Sequence, residues 1–162
     1  MDTLKRHLTV PFYSHTIISS ETRHKGVIMV GKSNNFEKKQ EIIKHELIMQ
    51  SGKAWNGQTY SQYPDGNPQI SVMRMSVPPH SELPWHTHPM PNTAYILAGQ
   101  LTIEDKDSGE THTVTAGEAL NETIDSAHRG YTKDEAAELV IFYAGVEGQE
   151  LSIPLPGEES EF

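Results

Sequence analysis

The chain contains no cysteine. Disulfides and thiolate sites are therefore excluded, and any metal it holds must be bound through nitrogen and oxygen. It also lacks any run near the roughly 18 apolar residues that a membrane span needs. The amino terminus, "MDTLKRHLTVPFYSHT", has no apolar core of the secretory type, so a soluble, cytoplasmic protein is expected. Basic residues are scarce, 13 against 22 acidic, for a formal charge of −9. Such a field repels phosphate backbones and anionic lipid, which leaves neither nucleic acid nor a membrane surface among the expected partners. Phosphate-binding loops, dinucleotide fingerprints, G-x-S-x-G and H-E-x-x-H do not occur.

What is present suits strands. In 162 residues, 12 glycines and 10 prolines punctuate short apolar stretches, favouring many strands joined by turns over a helical bundle. "QISVMRMSV" (69–77), "AYILAGQLTIED" (94–105, two segments about Gly99), "THTVTAGEAL" (111–120), "AELVIFYAG" (137–145) and "GQELSIPL" (148–155) all read as strands. "LTVPFYSHTII" (8–18) and "KGVIMVGK" (25–32) add two near the amino terminus. Residues 36–50, "FEKKQEIIKHELIMQ", fit helical and alternating periods alike and stay open between them. Residues 51–69 are loop-like and rich in glycine, asparagine, proline and aromatics, a plausible wall for a pocket. The expected class is all-β, an antiparallel barrel or sandwich.

The chemistry-bearing stretch is "PWHTHPMPNTAYILAG", residues 84–99. Alternate residues of a strand share a side, so His86 and His88 project in parallel, about 7 Å apart at the backbone. Imidazoles at that spacing can converge on one ion. Alone, the pair is weak evidence, and two surface histidines are the plainer reading. Gly99 follows His88 by eleven residues, and Gly117 precedes His128 by eleven.

With those spacings the chain resembles the cupin superfamily. Its first motif, G-x5-H-x-H-x3-4-E-x6-G, is matched by "HSELPWHTHPMPNTAYILAG", and its second, G-x5-P-x-G-x2-H-x3-N, by "GEALNETIDSAHRGYT". The resemblance spans about residues 70–153 and implies a double-stranded β-helix, the jelly-roll barrel, with an amino-terminal extension. It implies His86, His88 and His128 as ligands of one divalent transition metal. Iron(II) is the first choice, and zinc, nickel, manganese and copper suit the same donors. A dioxygenase acting on a small organic substrate is the first functional expectation. The alternatives are a non-catalytic module binding or sensing a small ligand, and a small-molecule isomerase. A homodimer is also implied.

The departures from the motifs matter. His80 and Asp125 stand at glycine positions, and both residue types tolerate left-handed backbone better than most. Thr123 and Thr132 replace the proline and the asparagine. Asn92 stands where the glutamate ligand should be, leaving a neutral three-histidine set in which Asn92 is a weak fourth ligand, a donor behind the ligands, or neither. Glu122 is the candidate catalytic residue: it either faces the barrel, to orient a ligand or accept a proton, or sits in water at a strand end. Trp85 and Tyr143 are candidate pocket aromatics, with packing as the plainer role. Alternation from Asn92 predicts Ala94, Ile96 and Ala98 inward and Tyr95 and Leu97 outward.

The expected organisation is residues 1–55 as amino-terminal strands and linker contributing to dimerisation, 56–155 as the barrel, and 156–162 as a frayed acidic tail. His7, His15, His24, His45 and His112 have no ligand spacing.

Overall fold

The computed structural model describes residues 42–162. The two strands expected within residues 8–32, and residues 36–41, lie outside that range. Over 42–50 the chain forms neither of the two structures left open. Ile43 and Leu47 are 90% and 73% exposed, so no apolar face is buried that would hold a helix or a strand.

Eight strands follow, with no helix among the described residues: β1 (Pro68–Val77), β2 (His86–Thr87), β3 (Asn92–Asp105), β4 (Thr111–Thr115), β5 (Ala119–Asn121), β6 (His128–Tyr131), β7 (Ala137–Val146) and β8 (Ile153–Pro154). With no helix there, none is long and apolar enough to cross a membrane. Every ladder is antiparallel. One sheet pairs β1 with β7, and both β7 and β5 with the first half of β3. The other places β4 and β6 on the second half of β3, then β2 on β6 and β8 on β2. The expected jelly-roll class is present.

β3 serves both sheets because it is irregular in the middle. The register against β7 shifts between Ile96 and Ala98, a β-bulge, and bulges are where strands bend from one sheet into another. The shift reverses the alternation. Asn92, Ala94 and Ile96 are buried, whereas beyond the bulge Leu101, Ile103 and Asp105 are. Ala98, predicted inward from unbroken alternation, is exposed for this reason. Gly99 follows with φ of 70°, and a Cβ there would lie 1.8 Å from the Ala136 carbonyl oxygen, so the close approach of β7 requires glycine.

Between the sheets pack Val77, Leu101, Ile103, Val114, Leu139 and Ile141, all under 5% exposed. Burial of side chains of this size contributes about 1.5–3 kcal/mol each. The loop at 51–60 is tied to the barrel: Ala54 is buried, the Trp55 N–H donates to the Asn121 carbonyl (2.9 Å), and the Tyr60 hydroxyl donates to the Glu122 carbonyl.

Among the described residues, the two non-glycine residues with left-handed backbone are His80 (φ 55°) and Asp125 (φ 54°). These are the two glycine positions of the motifs at which this chain has another residue. The turns survive, as the tolerance of histidine and aspartate for this region leads one to expect.

Candidate metal centre

The three histidines come together because of register. His86 on β2 stands directly opposite His128 on β6, and facing residues of an antiparallel pair hold their Cβ atoms about 5 Å apart. His88, two residues on, projects from the same side as His86. Their ligating nitrogens all lie within 4.8 Å of one another, and the three residues are at most 2% exposed.

The remote nitrogen of each ring is tied to the main chain. Nδ1 of His86 lies 2.8 Å from the Pro84 carbonyl oxygen, that of His88 2.6 Å from Leu151, and that of His128 2.8 Å from Ser126. A carbonyl only accepts, so each Nδ1 carries the proton and each Nε2 keeps its lone pair. Thr123, at the motif's proline position, donates to the same Ser126 carbonyl (3.1 Å) and lies 3.0 Å from His128 Nδ1. Hydrogen bonding of this kind orients metal-ligating histidines and raises their basicity.

The donor set fits a cation. Nε2 of His86 and Nε2 of His88 are 3.2 Å apart, and two lone pairs at that distance repel unless a proton or a metal ion lies between them. Nε2 of His128 and both side-chain polar atoms of Asn92 are buried without a hydrogen-bond partner. Imidazole nitrogen and carboxylate oxygen suit a divalent transition metal.

Two carboxylates complete the cluster. Glu122, just past β5, places Oε2 2.8 Å from His88 Nε2 and 3.8 Å from His128 Nε2. It faces the histidines and not water. Burial works to raise its pKa, but the facing imidazoles, His88 first and then His128, outweigh burial and hold the carboxyl well below the usual range. Burial likewise opposes the charged form of His88, and the Glu122 carboxylate overcomes it, so His88 is raised. His86 is pushed down to about 4 by burial and then by the charges of His128 and His88.

The second carboxylate is Glu161. It belongs to the tail expected to fray, yet its side chain is 4% exposed, and its Oε2 lies 3.5 Å from His86 Nε2. Burial, followed by repulsion from Glu122, pushes its pKa up. Nothing in "PGEESEF" distinguishes Glu161 from Glu158 or Glu159, so the sequence carried no signal for it.

The remaining candidates divide. Tyr143 is 1% exposed, with its ring 5.7 Å from that of His88 and its hydroxyl unpartnered. Asn92 is its register partner across β3 and β7. Trp85 lies apart from the imidazoles' meeting point, its ring between Lys106 Nζ at 4.4 Å and Arg129 Cζ at 4.5 Å. Cation–π contact accounts for that position. His80 is a turn residue, exposed, 3.8 Å from Asp134. Of the histidines without ligand spacing, His45 and His112 are exposed; His7, His15 and His24 lie outside the described residues.

Residues 73–143 match the family described as Cupin domain. No curated protein matches. Similar solved structures include the DMSP lyase DddQ from Ruegeria pomeroyi DSS-3, at 16% identity and TM-score 0.49, covering 65% of this chain and 49% of that one. The polyketide cyclase RemF from Streptomyces resistomycificus is 19% identical with TM-score 0.47, covering 56% of this chain and 62% of that one. An RmlC-like cupin from Shewanella frigidimarina NCIMB 400 is 14% identical with TM-score 0.43, covering 49% and 68%. The chain spans about half the length of the first of these and under two thirds of the second.

Proposed function

Taking the chain as a member of the cupin superfamily, we propose a mononuclear metal-dependent enzyme that oxidises a small organic substrate with dioxygen. His86, His88 and His128 hold one divalent ion, iron(II) first among the metals these donors suit. Glu122 supplies the carboxylate that Asn92 does not. The observation that carries this reading is the tethering of all three Nδ1 atoms to carbonyl oxygens, which aims three bare Nε2 atoms at one place. Bound there, the ion supplies Lewis acidity and, as iron, a place for dioxygen chemistry.

The chain's own residues do the rest. Glu122, buried and held ionised beside His88, is placed to accept a proton from a substrate at the ion. Tyr143 and Asn92, adjacent across two strands and with unpartnered polar atoms, offer donors to a substrate oxygen. The barrel wall excludes water, which strengthens each of these interactions.

Elemental analysis and oxygen uptake test the reading together. One metal per chain is expected, lost in His86→Ala, with the iron-loaded protein consuming oxygen on a panel of thiols and diketones. Metal that depends on His86 without any oxygen uptake would remove the oxidative reading. It would leave the second one, a small-ligand binding or sensor module. The burial of all three imidazoles and the carboxylate facing His86 favour that alternative.

Homodimerisation belongs to the same proposal. Val72 and Phe142, register partners on β1 and β7, are exposed on the outer side of the first sheet beside Ile70. Gel filtration of a chain lacking residues 1–34 tests whether the amino-terminal segment builds the dimer; an unchanged dimer size would remove that role.

A further inference from the structure

The carboxylates divide the imidazoles between them. Glu122 faces His88 and His128, and Glu161 faces His86. They are held in different ways. Glu122 adjoins β5, whereas Glu161 arrives on a tail whose residues 156–160 are all exposed. The tail's main-chain ties are Leu155 N–H to the Trp85 carbonyl and Glu158 N–H to the Leu155 carbonyl, each 2.9 Å. Past them, Ser160 Oγ donates only within the tail, to the Phe162 oxygen (2.7 Å). Phe162 itself is half exposed. One side chain of the tail enters the barrel, and it is a carboxylate.

Oε2 of Glu161 is buried without a hydrogen-bond partner. A carboxyl group in such a place either takes up a proton or needs a cation to face it. A bound ion would meet that need, and the tail's slight anchorage would let the group leave again. Resting on the metal reading above, we propose that Glu161 is a tethered, exchangeable ligand. It occupies the position that the carboxylate of an external small molecule takes, so that tail and ligand compete for one place beside His86. The external ligand class is then a small carboxylic acid, and access to the ion follows the position of residues 156–162.

The test uses cobalt(II) as a spectroscopic metal in the chain of residues 1–162, with acetate as the probe. Glu161→Gln is expected to retain cobalt, shift its visible bands, and bind acetate about tenfold more tightly, the scale expected when a competitor at millimolar effective concentration is removed. Glu159→Gln, the same charge change on an exposed neighbour, is expected to match the native chain in both respects. Bands and acetate affinity within twofold of native in both Glu161→Gln and Glu161→Ala would overturn the proposal. So would a cobalt-loaded Glu161→Gln whose bands ignore acetate. If native protein takes up cobalt in a His86-dependent way, either failure removes the tail's role and leaves the metal reading intact. If native protein takes up no cobalt, both fall.

Discussion

Oε2 of Glu122 lies 2.8 Å from Nε2 of His88, while Asn92, at the motif's glutamate position, has neither side-chain polar atom bonded. A carboxylate thus reaches the imidazoles from the end of β5 and not from β3.

Glu122→Gln should therefore weaken metal binding by about 10–100-fold. Asn92→Ala should change it by less than about threefold, because a neutral amide is a poor ligand for these ions. Chelator competition measures both, and the opposite ranking would return the fourth position to Asn92.

At the left-handed turns, non-glycine residues bear a cost of about 1–2 kcal/mol, less for aspartate. Asp125→Gly should leave stability unchanged or raise it by up to about 1 kcal/mol, whereas Asp125→Val should lower it by about 1–2 kcal/mol. Urea midpoints decide between these signs. Equal effects of Gly and Val would mean that the φ of 54° is not the controlling feature.

Gly99→Ala sets a methyl group 1.8 Å from the Ala136 carbonyl oxygen at a φ of 70°. The backbones of β3 and β7 would have to part, and a loss of about 2–4 kcal/mol is expected. A native-like urea midpoint would contradict it.

Asp105 gathers three segments. Oδ1 accepts from Asp107 N–H, Ser108 N–H and the Ser108 hydroxyl, and Oδ2 from Asn56 and Ser126 at 3.3 Å. The Ser108 N–H first, against the opposing pull of burial, holds its carboxyl below the ordinary 3.8. A depressed pKa means that the stabilisation is fully present above about pH 4 and is lost as pH falls through the folded value. Asp105→Asn should thus cost about 2–3 kcal/mol at neutral pH, and the gap from native should narrow as pH falls below 4. A gap independent of pH would place the cost elsewhere.

Much of this was legible in advance. Alternation and turn residues led to the all-β class, because those signals are local; the jelly roll and the three imidazoles were implied by the resemblance to the cupin motifs, carried by His86, His88, Gly99, Gly117 and His128. What escaped depended on geometry that one strand does not carry. The phase change at Ile96 hid the exposure of Ala98: Gly99 in "YILAG" marks a break in the strand but does not say at which residue the alternation reverses. Glu122 was visible as a candidate, but its direction is set by pairing with β3. Glu161 is separated from His86 by most of the barrel sequence, and its burial follows from where β8 ends.

The irregularity in β3 has a mechanical reach beyond Ala98. Before it, the buried residues are the even-numbered Asn92, Ala94 and Ile96; after it, the odd-numbered Leu101, Ile103 and Asp105 are buried, with Thr102 covered between them. Deleting one residue at 97 or 98 would force one parity on the whole strand. Either Leu101 and Ile103 would turn to water, or Ala94 and Asn92 would turn away from the imidazole end. Neither half of the interior can slip without dragging the other, so a single surplus residue keys both sheets to one alignment.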